Sequence, residues 1–124
     1  MISTRQFVAV VDDDESVRES LPDLLRELGY DARAFSAAEE FLASEYLDRT
    51  HCLILDIAMP GMTGPELQLE LTRRRQDIPI IFITAYIDEA VRQGVLQRGA
   101  VGCLFKPFSE ADLLEALNTA LPPA

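Results

Sequence analysis

Five short apolar runs punctuate the chain, each followed by a stretch of helical period: Phe7–Val11, Ala32–Phe35, Cys52–Leu55, Ile80–Ile83 and Val101–Phe105. The runs are close to continuously hydrophobic, as strands buried on both faces are, and their alternation with helices predicts a parallel sheet covered on both sides. In the first helix Val17, Leu21, Leu24, Leu25 and Leu28 form one stripe, and Gly29 supplies the stop. The third opens at Gly64-Pro65, with Leu67 and Leu71 facing inward. The last has Ser109 as N-cap and Asp112 three residues on, with Leu113, Leu114, Leu117 and Leu121 on its expected buried side. Pro22 removes a backbone hydrogen bond from the first helix, so a bend between Arg18 and Pro22 is expected.

With 124 residues and 48% hydrophobic content, the chain has material for one core and no room for a second. Eleven basic against 21 acidic side chains leave a net charge of −10, which argues against gripping nucleic acid or an anionic membrane and favours divalent cations or basic partners. No apolar run nears the ~20 residues that cross a bilayer, and the opening "MISTRQ" lacks a signal peptide's apolar stretch, so a cytoplasmic location is expected. Cys52 and Cys103 stand in strand-like runs without CxxC or Cys/His spacing, and both are expected as buried free thiols. The tail "LPPA" breaks the last helix, so residues 1–121 read as the domain and 122–124 as the start of a linker or tail.

In a doubly wound sheet ligands bind beyond the carboxyl ends of the strands. Asp12 and Asp13 follow the first strand, Asp56 the third, Thr84 the fourth and Lys106 the fifth, whereas the second ends at Ser36 with nothing comparable. Three neighbouring carboxylates repel, and a hard divalent cation with oxygen ligands, typically Mg2+, relieves that repulsion. Such a cation beside a carboxylate, an ammonium and a hydroxyl suits phosphoryl transfer: Asp56 as nucleophile, Lys106 and the cation neutralising phosphoryl oxygens, Thr84 donating a hydrogen bond. No Walker loop or GxGxxG is present.

Each residue has a plainer reading. Asp13 and Asp14 could cap the first helix, as Asp14 and Glu15 are expected to do; Asp56 could form a turn, Thr84 belong to its strand and Lys106 be a solvated charge. Coincidence at the ends of four central strands favours the site. His51, at the opposite end of the third strand, reads as a surface residue, and Arg73 to Arg75 as a solvated helix end.

The segments "VVDDD", "LILDIAMPGMTG", "FITAY" and "LFKPF", in this order and spacing, resemble the receiver domain of two-component response regulators, the CheY-like fold, and within it the FixJ-type receivers. The resemblance runs from about Gln6 to Leu121. It implies an α/β, flavodoxin-like doubly wound sheet of five parallel strands in order 2-1-3-4-5 with helices on both faces. It also implies that Asp56 accepts a phosphoryl group from a histidine kinase, and that Asp12, Asp13, Asp56 and the Ala58 carbonyl hold Mg2+. Thr84 matches the switch hydroxyl, Lys106 the site lysine, and Lys106-Pro107 a peptide that is typically cis. Such a domain is no enzyme beyond its own phosphotransfer and dephosphorylation. Its implied partners are the cognate histidine kinase and, once phosphorylated, a second copy of itself; no membrane is implied, and DNA is reached only through an output domain missing from these residues.

One position departs from the pattern. Where the family usually carries Phe or Tyr, three residues before the lysine, stands Cys103, so either Tyr86 or Phe105 takes part in the switch or the switch is weak. Ala58 and Tyr86, two residues after Asp56 and Thr84, match positions that tune the phosphoryl lifetime. The rival readings are a Mg2+-dependent phosphoester hydrolase, a flavodoxin-like cofactor carrier, and a receiver that docks without phosphorylation. A hydrolase would want a cap over its substrate, and a cofactor carrier a phosphate cradle where the acids stand.

Overall fold

The computed structural model describes residues 5–86 and 88–122. Five strands, β1 (Phe7–Val11), β2 (Asp31–Phe35), β3 (Cys52–Asp56), β4 (Ile80–Thr84) and β5 (Gly102–Phe105), form one parallel sheet in the order β2-β1-β3-β4-β5. Between and after them lie α1 (Glu15–Glu27), the short α2 (Ala38–Leu42), α3 (Gly64–Arg73), α4 (Glu89–Gln97) and α5 (Glu110–Ala120), with one 3-10 turn at Leu47–Arg49. Pro123 and Ala124 of the expected tail lie outside the described residues.

Strand alternation sorts the core into two layers. Ala9, Val11, Leu53, Leu55 and Phe82 face Phe41 of α2, Leu67 and Leu71 of α3 and Val95 of α4. Val8, Val10, Ile54, Ile81 and Ile83 face Leu21 and Leu25 of α1 and Leu113 and Leu117 of α5. Both faces of β3 and β4 are therefore sealed, which is why their sequences are apolar without a break.

Two expectations about burial need correction. Leu114 is 37% exposed, because the inward stripe of α5 is Leu113, Leu117 and Leu121, spaced four apart, and Leu114 lies ~100° round the helix from Leu113. Cys52 is buried, whereas Cys103 is only half-buried. Helix α1 runs without interruption through the buried Pro22, and Gly29 takes a φ of 102° beyond its end, where Tyr30 N–H donates to Leu25 O. Arg73 and Arg74 both pair with Glu70 on the surface of α3, and Arg75 follows at a φ of 59°.

Helix α3 starts with a reciprocal cap: Thr63 Oγ1 accepts from Glu66 N–H, and Glu66 accepts from Thr63 N–H at 2.9 Å. Replacing Thr63 by Ala is expected to cost about 1 kcal/mol, read from the urea midpoint at unchanged slope. The next residue has no room for a side chain, since a Cβ on Gly64 would stand 2.2 Å from the backbone oxygen of Asp56. The start of α3 is thus pressed against the end of β3.

Candidate functional site

The ends of β1, β3, β4 and β5 meet at one edge of the sheet, and hydrogen bonds extend the ladder past them. Asp12 N–H donates to Phe35 O, Ile57 N–H to Ile83 O at 3.1 Å and Lys106 N–H to Thr84 O at 2.8 Å. The residues that leave the sheet here start from a braced backbone. Asp12 is held further: its Oδ1 accepts from Asp14 N–H at 2.9 Å, and its carbonyl from the Arg18 guanidinium at 3.0 Å. Asp14 itself caps α1, its side chain accepting from the N–H and hydroxyl of Ser16.

Carboxylate oxygens of Asp12, Asp13 and Asp56 lie within 4.8 Å of one another, Asp12 fully buried, Asp56 nearly so and Asp13 exposed. Lys106 Nζ reaches Asp12 Oδ2 at 2.8 Å and Asp56 Oδ1 at 3.8 Å. This ion pair is the one contact that meets the buried Asp12 Oδ2 among the described residues. Burial and the Asp12 charge push Asp56 up to about 7, against the pull of Lys106. Burial works against the charge on Lys106, but contact with Asp12 and the charges of Asp56 and Asp14 outweigh it and hold its pKa above the usual lysine value.

This donor set fits a hard divalent cation. Three carboxylate oxygens converge, two from buried residues, a single ammonium stands against them, and the exposed Asp13 leaves the mouth open. Ala58 stands exposed in the loop after β3. Thr84 is buried, its hydroxyl donating to Tyr86 O and accepting from Tyr86 N–H, both at 3.1 Å. The Lys106-Pro107 peptide is cis. His51 lies exposed at the far end of β3, its Nδ1 accepting from Phe7 N–H at 2.9 Å.

Two contributors escaped the sequence reading, Gly64 and Arg18. For the first the sequence offered only the glycine itself in "TGPE", since its close approach to the Asp56 backbone is set by the fold. Arg18 gave no signal, because only the fold brings its guanidinium over the Asp12 carbonyl.

Residues 8–118 match the family model for the response regulator receiver domain. The chain belongs to that family. This receiver is 44% identical over 118 residues to nodulation protein W of Bradyrhizobium diazoefficiens, covering 95% of this chain and 52% of that protein. It is 37% identical over 115 residues to the transcriptional regulatory protein FixJ of Azorhizobium caulinodans, covering 92% of this chain and 54% of that one. Among solved structures, the chemotaxis protein CheY4 of Vibrio cholerae superposes with a TM-score of 0.86 at 31% identity, over 95% of this chain and 100% of that one. The receiver spans about half the length of the curated relatives it matches. Its sheet order is that of the CheY-like fold. No helix among the described residues is long and apolar enough to cross a membrane.

Proposed function

We propose that Asp56 accepts a phosphoryl group from the phosphohistidine of a partner kinase, and that the acyl phosphate shifts the receiver between two surface conformations. The observation that carries this reading is the buried carboxylate cluster at the sheet edge, closed on one side by Lys106. An Asp56 oxygen attacks phosphorus, the O–P bond forms, the N–P bond breaks and the histidine leaves as imidazole after taking a proton. Asp12, Asp13, Asp56 and the Ala58 carbonyl would hold Mg2+, which when bound neutralises charge on the phosphoryl oxygens. Lys106 faces Asp56 Oδ1 and supports the same charge from the other side. Thr84, buried and next in the sheet, supplies a hydroxyl to the new group.

Both cysteines are free thiols, which suits a cytoplasmic protein. Relatives that include FixJ are named as transcriptional regulatory proteins and are about twice as long, which supports a DNA-binding output domain as the target of the switch.

Intact mass after incubation with acetyl phosphate tests the reading. The expected result is one labile phosphoryl group per chain, absent without Mg2+ and absent in Asp56→Asn. A folded protein that binds Mg2+ and gains nothing would move the reading to docking without phosphorylation.

A further inference from the structure

Beside Thr84 lies a cavity of about 160 Å3, its walls including Ile57, Ala58, Thr84, Val91 and Cys103. Of the two wall residues contributed by β5, Cys103 and Phe105, the first is small. An apolar cavity of about 150 Å3 takes a benzene ring, so this one is sized for a single aromatic side chain.

Two rings stand at its rim, Tyr86 at 74% exposure and Phe105 at 38%. They are anchored differently. Phe105 belongs to β5, in register with Thr84 of β4, so its backbone is tied to the sheet. Tyr86 lies in the turn beyond β4 and is tied by the Thr84 hydroxyl, which donates to its carbonyl and accepts from its N–H, both at 3.1 Å. A threonine hydroxyl has one proton. If that proton goes to a phosphoryl oxygen on Asp56, the Tyr86 carbonyl loses its donor and one of the two bonds that tie Tyr86 to β4 is gone. A ring entering the cavity would find polar partners for its hydroxyl at the mouth, where Asp88 and Arg92 line the wall.

We propose that Tyr86 is the moving part of the switch: once Asp56 is phosphorylated, its ring folds into the cavity between Thr84, Val91 and Cys103 and leaves the surface beside α4. The inference rests on the phosphoacceptor reading of Asp56. It assigns the closing motion to Tyr86, and leaves β5 in place.

Cys103 reports the motion because it lines the cavity, and the fully buried Cys52 serves as an internal control. The receiver is treated with iodoacetamide at about pH 8.5, where a thiolate fraction exists, with and without Mg2+ and excess acetyl phosphate. Peptide mass then reads alkylation of each cysteine, and intact mass reads phosphoryl gain in the same samples. Cys103 alkylation is expected to slow about tenfold on phosphorylation, as a closed state populated about nine parts in ten would impose. In Tyr86→Ala the phosphoryl gain is expected to persist and the protection to vanish. Equal Cys103 rates in phosphorylated and unphosphorylated wild type overturn the proposal. Protection that survives Tyr86→Ala and is lost in Phe105→Ala overturns it too, in favour of the strand-borne ring. No phosphoryl gain at all overturns the phosphoacceptor reading and this inference with it, a failure that the intact mass separates from the others.

Discussion

Raising the pH of the metal-free receiver from about 4 to about 8 lowers its stability by about 2 kcal/mol through Asp56, and Asp56→Asn removes that loss. The carboxyl titrates at its ordinary 3.8 in the unfolded chain and at about 7 in the folded one. Below the lower value both states hold the proton and the group is neutral to stability. Between the two values the unfolded chain sheds the proton first, so folding is progressively disfavoured, and above about 7 the loss is complete. A sealed site would make the full effect roughly 4 kcal/mol. The pocket mouth is open at Asp13, solvent screens the charge, and about half of that is expected. Carboxylates outside the pocket that are held below their usual range, Glu70 and Asp14 among them, act in the opposite direction. They are present in both proteins and cancel in the difference. Urea unfolding of wild type and Asp56→Asn at several pH values, in EDTA, gives the difference directly. Parallel curves would mean that Asp56 is not held protonated by its surroundings. Saturating Mg2+ is expected to flatten the wild-type curve.

Removing the opposing cation has the larger effect. Lys106→Met is expected to destabilise the metal-free protein by about 3 kcal/mol at pH 8, the lower end for breaking a buried pair from one side. Lys106 Nζ sits 2.8 Å from an oxygen of the fully buried Asp12, and the variant leaves that carboxylate without its counter-charge. Because the lysine is held above its usual pKa, it stays charged throughout the acid and neutral range; its stabilisation is lost only as alkaline pH rises through that elevated value. The cost of the substitution is therefore expected to shrink toward acid, where the carboxylates take up protons. Added Mg2+ is expected to restore part of it by binding the folded state alone. Adding Asp56→Asn to Lys106→Met should cost less than the two separate effects summed, because the first removes one of the charges the lysine balances. A Lys106→Met protein as stable as wild type at pH 8 would rule out this charge balance.

Much of the architecture was legible because the strands are short, apolar and regularly spaced, and because chemistry gathers where such strands end. The site residues were legible as types at strand ends, but their mutual distances were not. That Lys106 lies closer to Asp12 than to Asp56 depends on how β5 docks against β4, which periodicity does not encode. Leu114 misled because the pattern alone does not say which of two adjacent leucines turns outward, and here Leu113 takes the inward place. Cys103 misled for a different reason: its run is strand-like, but it lies on the sheet's outermost strand beside a cavity, and edge strands are not sealed as central ones are. The hydroxyl link between Thr84 and Tyr86 had no signature beyond a spacing of two.

Lys106 follows β5, the latest of the five strands in sequence and one of the two edges of the sheet. Asp12, Asp13 and Asp56 are all made earlier, so a nascent chain carries the repulsion of the acidic cluster before it carries the charge that offsets it. Until the final strand docks beside β4, a half-made chain lacks the ammonium that balances the pocket. The charge balance of the pocket is thereby a property of the docked sheet and of no single segment of the chain.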